Sequence, residues 1–165
     1  MKKLIISIVL VNLLAGCASE PKKEEAAPAP KAEAPKAAPA PAQAAVDALD
    51  DPASILAKRS VYYPFDVAVV QDADKPVVQA HAKYLSEHAN RKVRLEGNCD
   101  ERGSNEYNLG LGQRRADGVN KMLALGGARA DQLESVSYGE EKPRCTDHNE
   151  ACWKQNRRTD LNYAK

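Results

Sequence analysis

Four short segments of this chain alternate apolar with polar residues, and each predicts a β-strand with one buried face. They are residues 60–66, 92–97, 134–138 and 157–163. In the last segment Thr159, Leu161 and Tyr163 share one face. Pro64 has no backbone N–H to donate, so the first strand is expected to lie at a sheet edge or to end there.

A helix is predicted to begin at Asp74, which is placed to cap it, with Pro76 in its first turn. It continues to about Ala89, because apolar residues and two histidines recur at helical spacing: Val77, Ala80, His81, Tyr84, Leu85 and His88. Residues 53–58, before the first strand, are expected to form a short helical or irregular lead-in.

A second helix is predicted from Ser104 or Asn105 to Leu125, where Gly126-Gly127 suits a helix C-terminus. Its core-facing stripe consists of Gly112, Ala116, Val119 and Leu123. A short turn is expected at 130–133 and an irregular loop at 140–155. The order β-α-β-α-β-β predicts an α/β two-layer sandwich over residues 46–165. Its sheet is mixed and four-stranded, with the helices mainly on one face.

The first residues resemble a bacterial lipoprotein signal. Lys2-Lys3 precedes a short apolar run, and Leu14-Ala15-Gly16 precedes Cys17. On this resemblance residues 1–16 are a signal peptide, and Cys17 carries a diacylglyceryl group on its thiol and an acyl chain on its amine. The alternative is an uncleaved anchor with an incidental cysteine. Ala18-Ser19 follows instead of an aspartate, which favours the periplasmic face of the outer membrane.

Residues 17–45 contain many prolines and alanines and balanced charges, so they predict a disordered linker. Fully extended, residues 20–45 would span roughly 80 Å. The formal net charge of the whole chain is +1. Such a balance argues against nucleic-acid binding, which needs clustered Lys and Arg.

A candidate binding site lies where the second strand meets the second helix. Asp100 follows the strand, and the carboxyl ends of strands are common ligand positions in open α/β sheets. At 100° per residue, Arg115 lies about 40° from Val119 on the helix, whereas Arg114 lies about 140° away and faces solvent. Asp100 and Arg115 would suit a zwitterion, since one binds an ammonium and the other a carboxylate in bidentate fashion. The alternative is a structural salt bridge between them.

The run Gly97-Asn-Cys-Asp100-Glu-Arg-Gly103, together with Asn108, Leu111, Arg115-Ala116 and Val119, resembles the OmpA-like peptidoglycan-binding family. Val136 to Pro143 and Asn156-Arg157-Arg158 narrow the resemblance to the peptidoglycan-associated lipoproteins of the Tol-Pal system. The resemblance implies that Asp100 and Arg115 bind diaminopimelate in uncross-linked peptide stems. It implies supporting or secondary contacts from Arg102, Asn108 and Leu111, and a pocket border at Phe65-Asp66.

The same resemblance implies two partners besides the outer membrane, namely peptidoglycan and the β-propeller protein TolB, which would compete for overlapping surfaces. The chain would then link the outer membrane to the cell wall, supporting envelope integrity and cell division. A wall-anchoring module of another envelope complex is the alternative. No cofactor is expected apart from the N-terminal lipid.

Cys145 and Cys152 enclose a short loop and are expected to form a disulfide in an oxidising compartment, leaving Cys99 as the odd thiol. The alternative is a metal site that adds His148 to this pair, with Cys99 or another group completing the tetrahedron. The disulfide is favoured, so no metal is expected.

An enzyme acting on the cell wall is not expected. Asp100 and Glu101 are neighbours, whereas a glycosidase holds two carboxylates at a defined separation. His81 and His88 lie seven residues apart and are interpreted as part of a helix face. Binding without chemistry is the prediction.

Overall fold

The computed structural model describes residues 47–164. The predicted signal peptide at 1–16, lipidation at Cys17 and linker at 17–45 lie outside the described residues. Within 47–164, none of the helices combines the length and apolar character that crossing a membrane requires.

Four strands and three α-helices make up the domain, with single 3₁₀ turns at Ile55–Ala57 and Ala130–Gln132. Their bounds are β1 Ser60–Tyr62, α1 Lys75–Glu87, β2 Val93–Asn98, α2 Asn105–Leu125, β3 Leu133–Gly139, α3 Glu150–Asn156 and β4 Arg158–Tyr163. The sheet order is β1-β4-β2-β3. β4 is antiparallel to both of its neighbours, and β2 is parallel to β3. The predicted mixed four-stranded sheet and α/β class are confirmed.

α1 and α2 pack together against one face of the sheet. The main core joins buried side chains of both helices to inward-facing residues of β1, β2 and β4, among them Val61, Val78, Leu85, Leu95, Ala116, Val119, Leu123 and Leu161. The predicted stripe on α2 is buried throughout. His81 is also fully buried, and its ring nitrogens contact the Tyr163 hydroxyl at 2.8 Å and the Lys58 carbonyl at 3.0 Å.

α1 begins where it was predicted to begin, but Asp74 does not cap it as predicted. Asp74 lies at the N-cap, yet its side chain forms no capping bond. Its Oδ2 instead accepts from the Tyr62 backbone N–H at 3.1 Å. The carboxylate therefore joins the end of β1 to the start of α1.

Two other local predictions are wrong. β1 ends at Tyr62 instead of residue 66, because the chain turns through Pro64 and through Asp66, whose φ is 57°. The segment 140–155 is not wholly irregular, since α3 begins at Glu150. With seven residues, α3 is too short to show a clear apolar period, and it is capped by Asn149, whose side chain accepts from the Cys152 N–H.

Candidate functional site

A pocket of about 170 Å³ opens at the carboxyl end of β2, beside the first turns of α2. All seven residues predicted from the sequence line it: Phe65, Asp66, Asp100, Arg102, Asn108, Leu111 and Arg115. Cys99, Gly103, Tyr107 and Arg157 complete the lining. The turn after β2 and the first half of α2 therefore contribute eight of the eleven lining residues from one stretch of chain.

Arg115 lies at the base of the pocket, fully buried, whereas Arg114 is exposed as predicted. The guanidinium carbon of Arg115 lies 4.8 Å from the Tyr63 ring centroid. It donates to three carbonyl oxygens and a thiol: Val67 at 2.8 Å, Asn98 at 2.8 Å, Pro64 at 3.3 Å and Cys99 Sγ at 3.3 Å. Burial lowers the pKa of this guanidinium, which nevertheless stays charged in proteins.

No carboxylate of residues 47–164 forms an ion pair with Arg115. Buried charges are normally paired, so an anion that entered the pocket would complete this site. Because Nη2 already donates to Pro64 O, one of its two N–H groups stays available to such an anion. A bidentate contact, as the sequence suggested, would require the longer bond to Pro64 to open.

Asp100 is almost as deeply buried, and two arginines bind its carboxylate. Arg102 donates from its backbone N–H at 3.1 Å and Nε at 3.2 Å to Oδ1, and from Nη2 at 2.6 Å to Oδ2. Arg157 Nη1 donates to Oδ2 at 2.9 Å. Burial raises the pKa of Asp100, but the hydrogen bonds from the two arginines outweigh it and hold the pKa below its ordinary value.

The alternative of a direct salt bridge between Asp100 and Arg115 is therefore wrong for this structure. Asp100 takes its charge partners from the turn after β2 and from the residue before β4. Arg115 instead takes backbone carbonyls from the segment after β1 and from the end of β2.

The turn after β2 is held by its own side chains. Asp100 accepts from the N–H two residues on, an Asx turn. Gly103 has a φ of 113°, which disfavours a side chain there. Asn108 Nδ2 donates to the carbonyls of Asp100 and Arg102 at 3.2 Å and to Glu140 Oε2 at 2.5 Å. Asn108 thus fixes the turn that carries the charged groups.

Aromatic side chains border the mouth of the pocket. The Arg102 guanidinium carbon lies 4.2 Å from the centroid of Phe65 and 4.1 Å from that of Trp153. Phe65 is 57% exposed. The Tyr107 hydroxyl donates to Asp66 Oδ1, which joins α2 to the segment after β1.

The structure joins Cys145 and Cys152 in a disulfide, with their Cα atoms 5.3 Å apart. This bond uses both sulfur atoms that the metal alternative requires. Cys99 is free and buried. Its thiol donates to Asn108 O at 3.3 Å, and burial raises its pKa.

Comparison with known proteins shows which family the chain belongs to. The model of the OmpA family matches residues 62–158. Peptidoglycan-associated lipoproteins of Pasteurella multocida and Pseudomonas putida are 46% and 45% identical over 104 and 118 residues. These alignments cover 63% and 71% of this chain and 69% and 70% of the relatives. The chain belongs to the OmpA family, among its peptidoglycan-associated lipoproteins.

A solved structure of this family has the same fold. The crystal structure of the peptidoglycan-associated lipoprotein from Burkholderia pseudomallei is 52% identical, with a TM-score of 0.71. The match covers 72% of this chain and 100% of the Burkholderia pseudomallei chain. The resemblance drawn from the sequence motifs is thereby confirmed.

Three residues at the site were missed by reasoning from the sequence, namely Arg157, Tyr107 and Trp153. Arg157 belongs to a run that carried the family resemblance, but nothing local shows that it reaches Asp100, 57 residues away. Tyr107 lies three residues after Ser104, in the first turn of α2, and looks like an exposed helix position. Trp153 lies in the segment predicted to be irregular.

Proposed function

We propose that this lipoprotein binds peptidoglycan non-covalently, through the diaminopimelate of uncross-linked peptide stems. One observation carries the proposal. A buried Arg115 without a carboxylate partner among the described residues lies in the same pocket as Asp100. An anion and a cation that enter together would match these two groups.

The free end of a diaminopimelate side chain suits this pair, because it carries an ammonium and a carboxylate on one carbon. The carboxylate would lie at Arg115 Nη2 and the ammonium at Asp100. Leu111, which is 5% exposed, supplies apolar surface for the methylene chain. An ordinary lysine side chain lacks the second carboxylate and would leave Arg115 unpaired.

We propose further that Cys17 is lipidated and that residues 17–45 carry the domain from the outer membrane to the wall, as part of the Tol-Pal system. The names of the relatives support association with peptidoglycan and a lipid anchor. TolB is the expected protein partner, and envelope integrity and cell division are the expected roles. If wild-type protein failed to retain purified TolB in a pull-down, a wall anchor of another envelope complex would be favoured instead.

The proposed activity is binding without chemistry. Asp100 is held as a carboxylate by two arginines, which suits charge recognition better than proton donation. The pKa of Glu101 is lowered by hydrogen bonds from His148 and Trp153, so it is poorly suited as a general acid. Release of soluble fragments from sacculi by wild-type protein, absent for Asp100→Ala, would contradict this.

Retention on purified sacculi tests the site. Asp100→Ala and Arg115→Ala should each weaken binding at least some thirtyfold, because losing one partner of a desolvated charged contact costs about 2–5 kcal/mol. Lys121→Ala is the matched control, since it removes an exposed cation from the same helix. Thermal unfolding of each variant checks that the domain remains folded.

If Asp100→Ala and Arg115→Ala were both retained on sacculi as strongly as the wild-type protein, the proposed site would be refuted. The membrane anchor is tested separately. Cys17→Ser should release the protein from membranes while its binding to purified sacculi persists.

A further inference from the structure

Arg102 already occupies the position that the proposed function assigns to a ligand ammonium. Three of its N–H groups donate to Asp100, at 3.1, 3.2 and 2.6 Å. Arg157 adds a fourth at 2.9 Å. A carboxylate has about four lone-pair sites, so Asp100 has no acceptor position left for another cation.

Arg157 is held too firmly to move away from Asp100. Its side chain is 3% exposed. Besides Asp100, it donates to Tyr63 O at 3.0 Å and to Glu150 Oε1 at 2.6 Å. Moving it would break a buried bond to the segment after β1 and an ion pair to α3.

Arg102 can move at much lower cost. Its side chain is 32% exposed, and its guanidinium lies between the rings of Phe65 and Trp153. Glu150 Oε2 lies 3.7 Å from Arg102 Nη2, so a second acceptor is already close. A small rotation would exchange one carboxylate for the other while the guanidinium stays between the rings.

We propose that Arg102 is an internal competitor for Asp100, and that a ligand ammonium binds as the Arg102 side chain passes from Asp100 to Glu150. This exchange rests on the proposed function, and it adds a reason why the pocket would select a zwitterion over a simple amine. A ligand with only an amine exchanges one cation at Asp100 for another, so it gains less than it would from an unpaired carboxylate. A zwitterion also brings a carboxylate to Arg115, which has no carboxylate partner among residues 47–164.

The test compares two synthetic tripeptide stems that end in diaminopimelate, one with its terminal side-chain amine free and one with that amine acetylated. Their affinities for the full-length protein in detergent are measured by calorimetry. In Arg102→Gln the competing charge is gone, so the ratio of free-amine to acetylated affinity should rise about tenfold, or about 1.4 kcal/mol. Arg102→Lys retains a competing cation and should keep the ratio near that of wild type.

An unchanged or smaller ratio in Arg102→Gln, with wild-type binding intact, would overturn the competitor role alone. Absence of binding of either peptide to wild type would overturn the proposed function, and this inference with it. The NMR signal of Arg102 Nε–H in the wild-type protein gives a second measurement that does not depend on a variant folding. It should shift with the free-amine peptide and stay in place with the acetylated one, and a signal unmoved at saturation would refute the exchange.

Discussion

Gly97 and Gly112 set the distance between β2 and α2, so replacing Gly97 with alanine should force these elements apart. A Cβ built on Gly97 would lie 1.9 Å from the Gly112 carbonyl oxygen and 2.6 Å from its carbonyl carbon. Ordinary contacts begin at 3.4 Å, which leaves a shortfall of 3.4 − 1.9 = 1.5 Å. The obstructing atoms are backbone, so no side-chain rotation can relieve the contact.

Overpacking a core costs about 1–3 kcal/mol, occasionally more. Because helix and sheet must separate as units, we expect Gly97→Ala to lower the free energy of unfolding by about 3 kcal/mol. For a domain of this size that corresponds to a fall in Tm of roughly 10 °C.

Urea and thermal unfolding followed by circular dichroism measure the effect, with two alanine variants of α2 for comparison. Gly112→Ala should cost less, because the nearest atom, Ser137 Oγ at 2.3 Å, belongs to a side chain that can rotate. Gly118→Ala meets only Ala68 O at 3.5 Å and should gain up to about 1 kcal/mol from helix propensity.

The same variants connect packing to function. α2 carries Arg115, so its displacement in Gly97→Ala should also weaken retention on sacculi, whereas Gly118→Ala should bind as wild type does. A Gly97→Ala protein within about 0.5 kcal/mol of wild type would refute the close packing of α2 on β2.

Three further predictions concern the charged and sulfur groups of the domain. Replacing Cys145 and Cys152 with serine should cost roughly 2–3 kcal/mol in urea unfolding, because the disulfide closes a short loop; a free Cys145 thiol in non-reducing mass spectra of protein purified without reductant would contradict the bond. Asp100 has a lowered folded-state pKa, so its contribution is present above the ordinary carboxyl pKa and is lost as the pH falls from about 4 through the folded value; acid unfolding of Asp100→Asn should lack this component, and identical pH profiles would refute it. Cys99 should react with a thiol reagent far more slowly in the native protein than in urea, because it is buried and its pKa is raised; equal rates would show that the thiol is accessible.

Much of the fold follows from local patterns. α2 was predicted to within a residue because its stripe repeats over several turns and its ends carry a serine cap and a glycine pair. β2 was placed equally well, because alternation is clear over its length. α3 and the end of β1 were missed, since a seven-residue helix shows little periodicity and the turn at Asp66 leaves no distinctive local pattern.

The sequence by itself determined most of the residues that meet in the pocket, because one strand-turn-helix motif holds them close along the chain. Only the tertiary structure decided how their charges pair. Arg157 reaches Asp100 because β4 lies beside β2 in the sheet, and the carbonyls that surround Arg115 come largely from the segment after β1. Such pairings depend on which distant segments pack against each other. The spacing of residues along the chain does not predict these contacts.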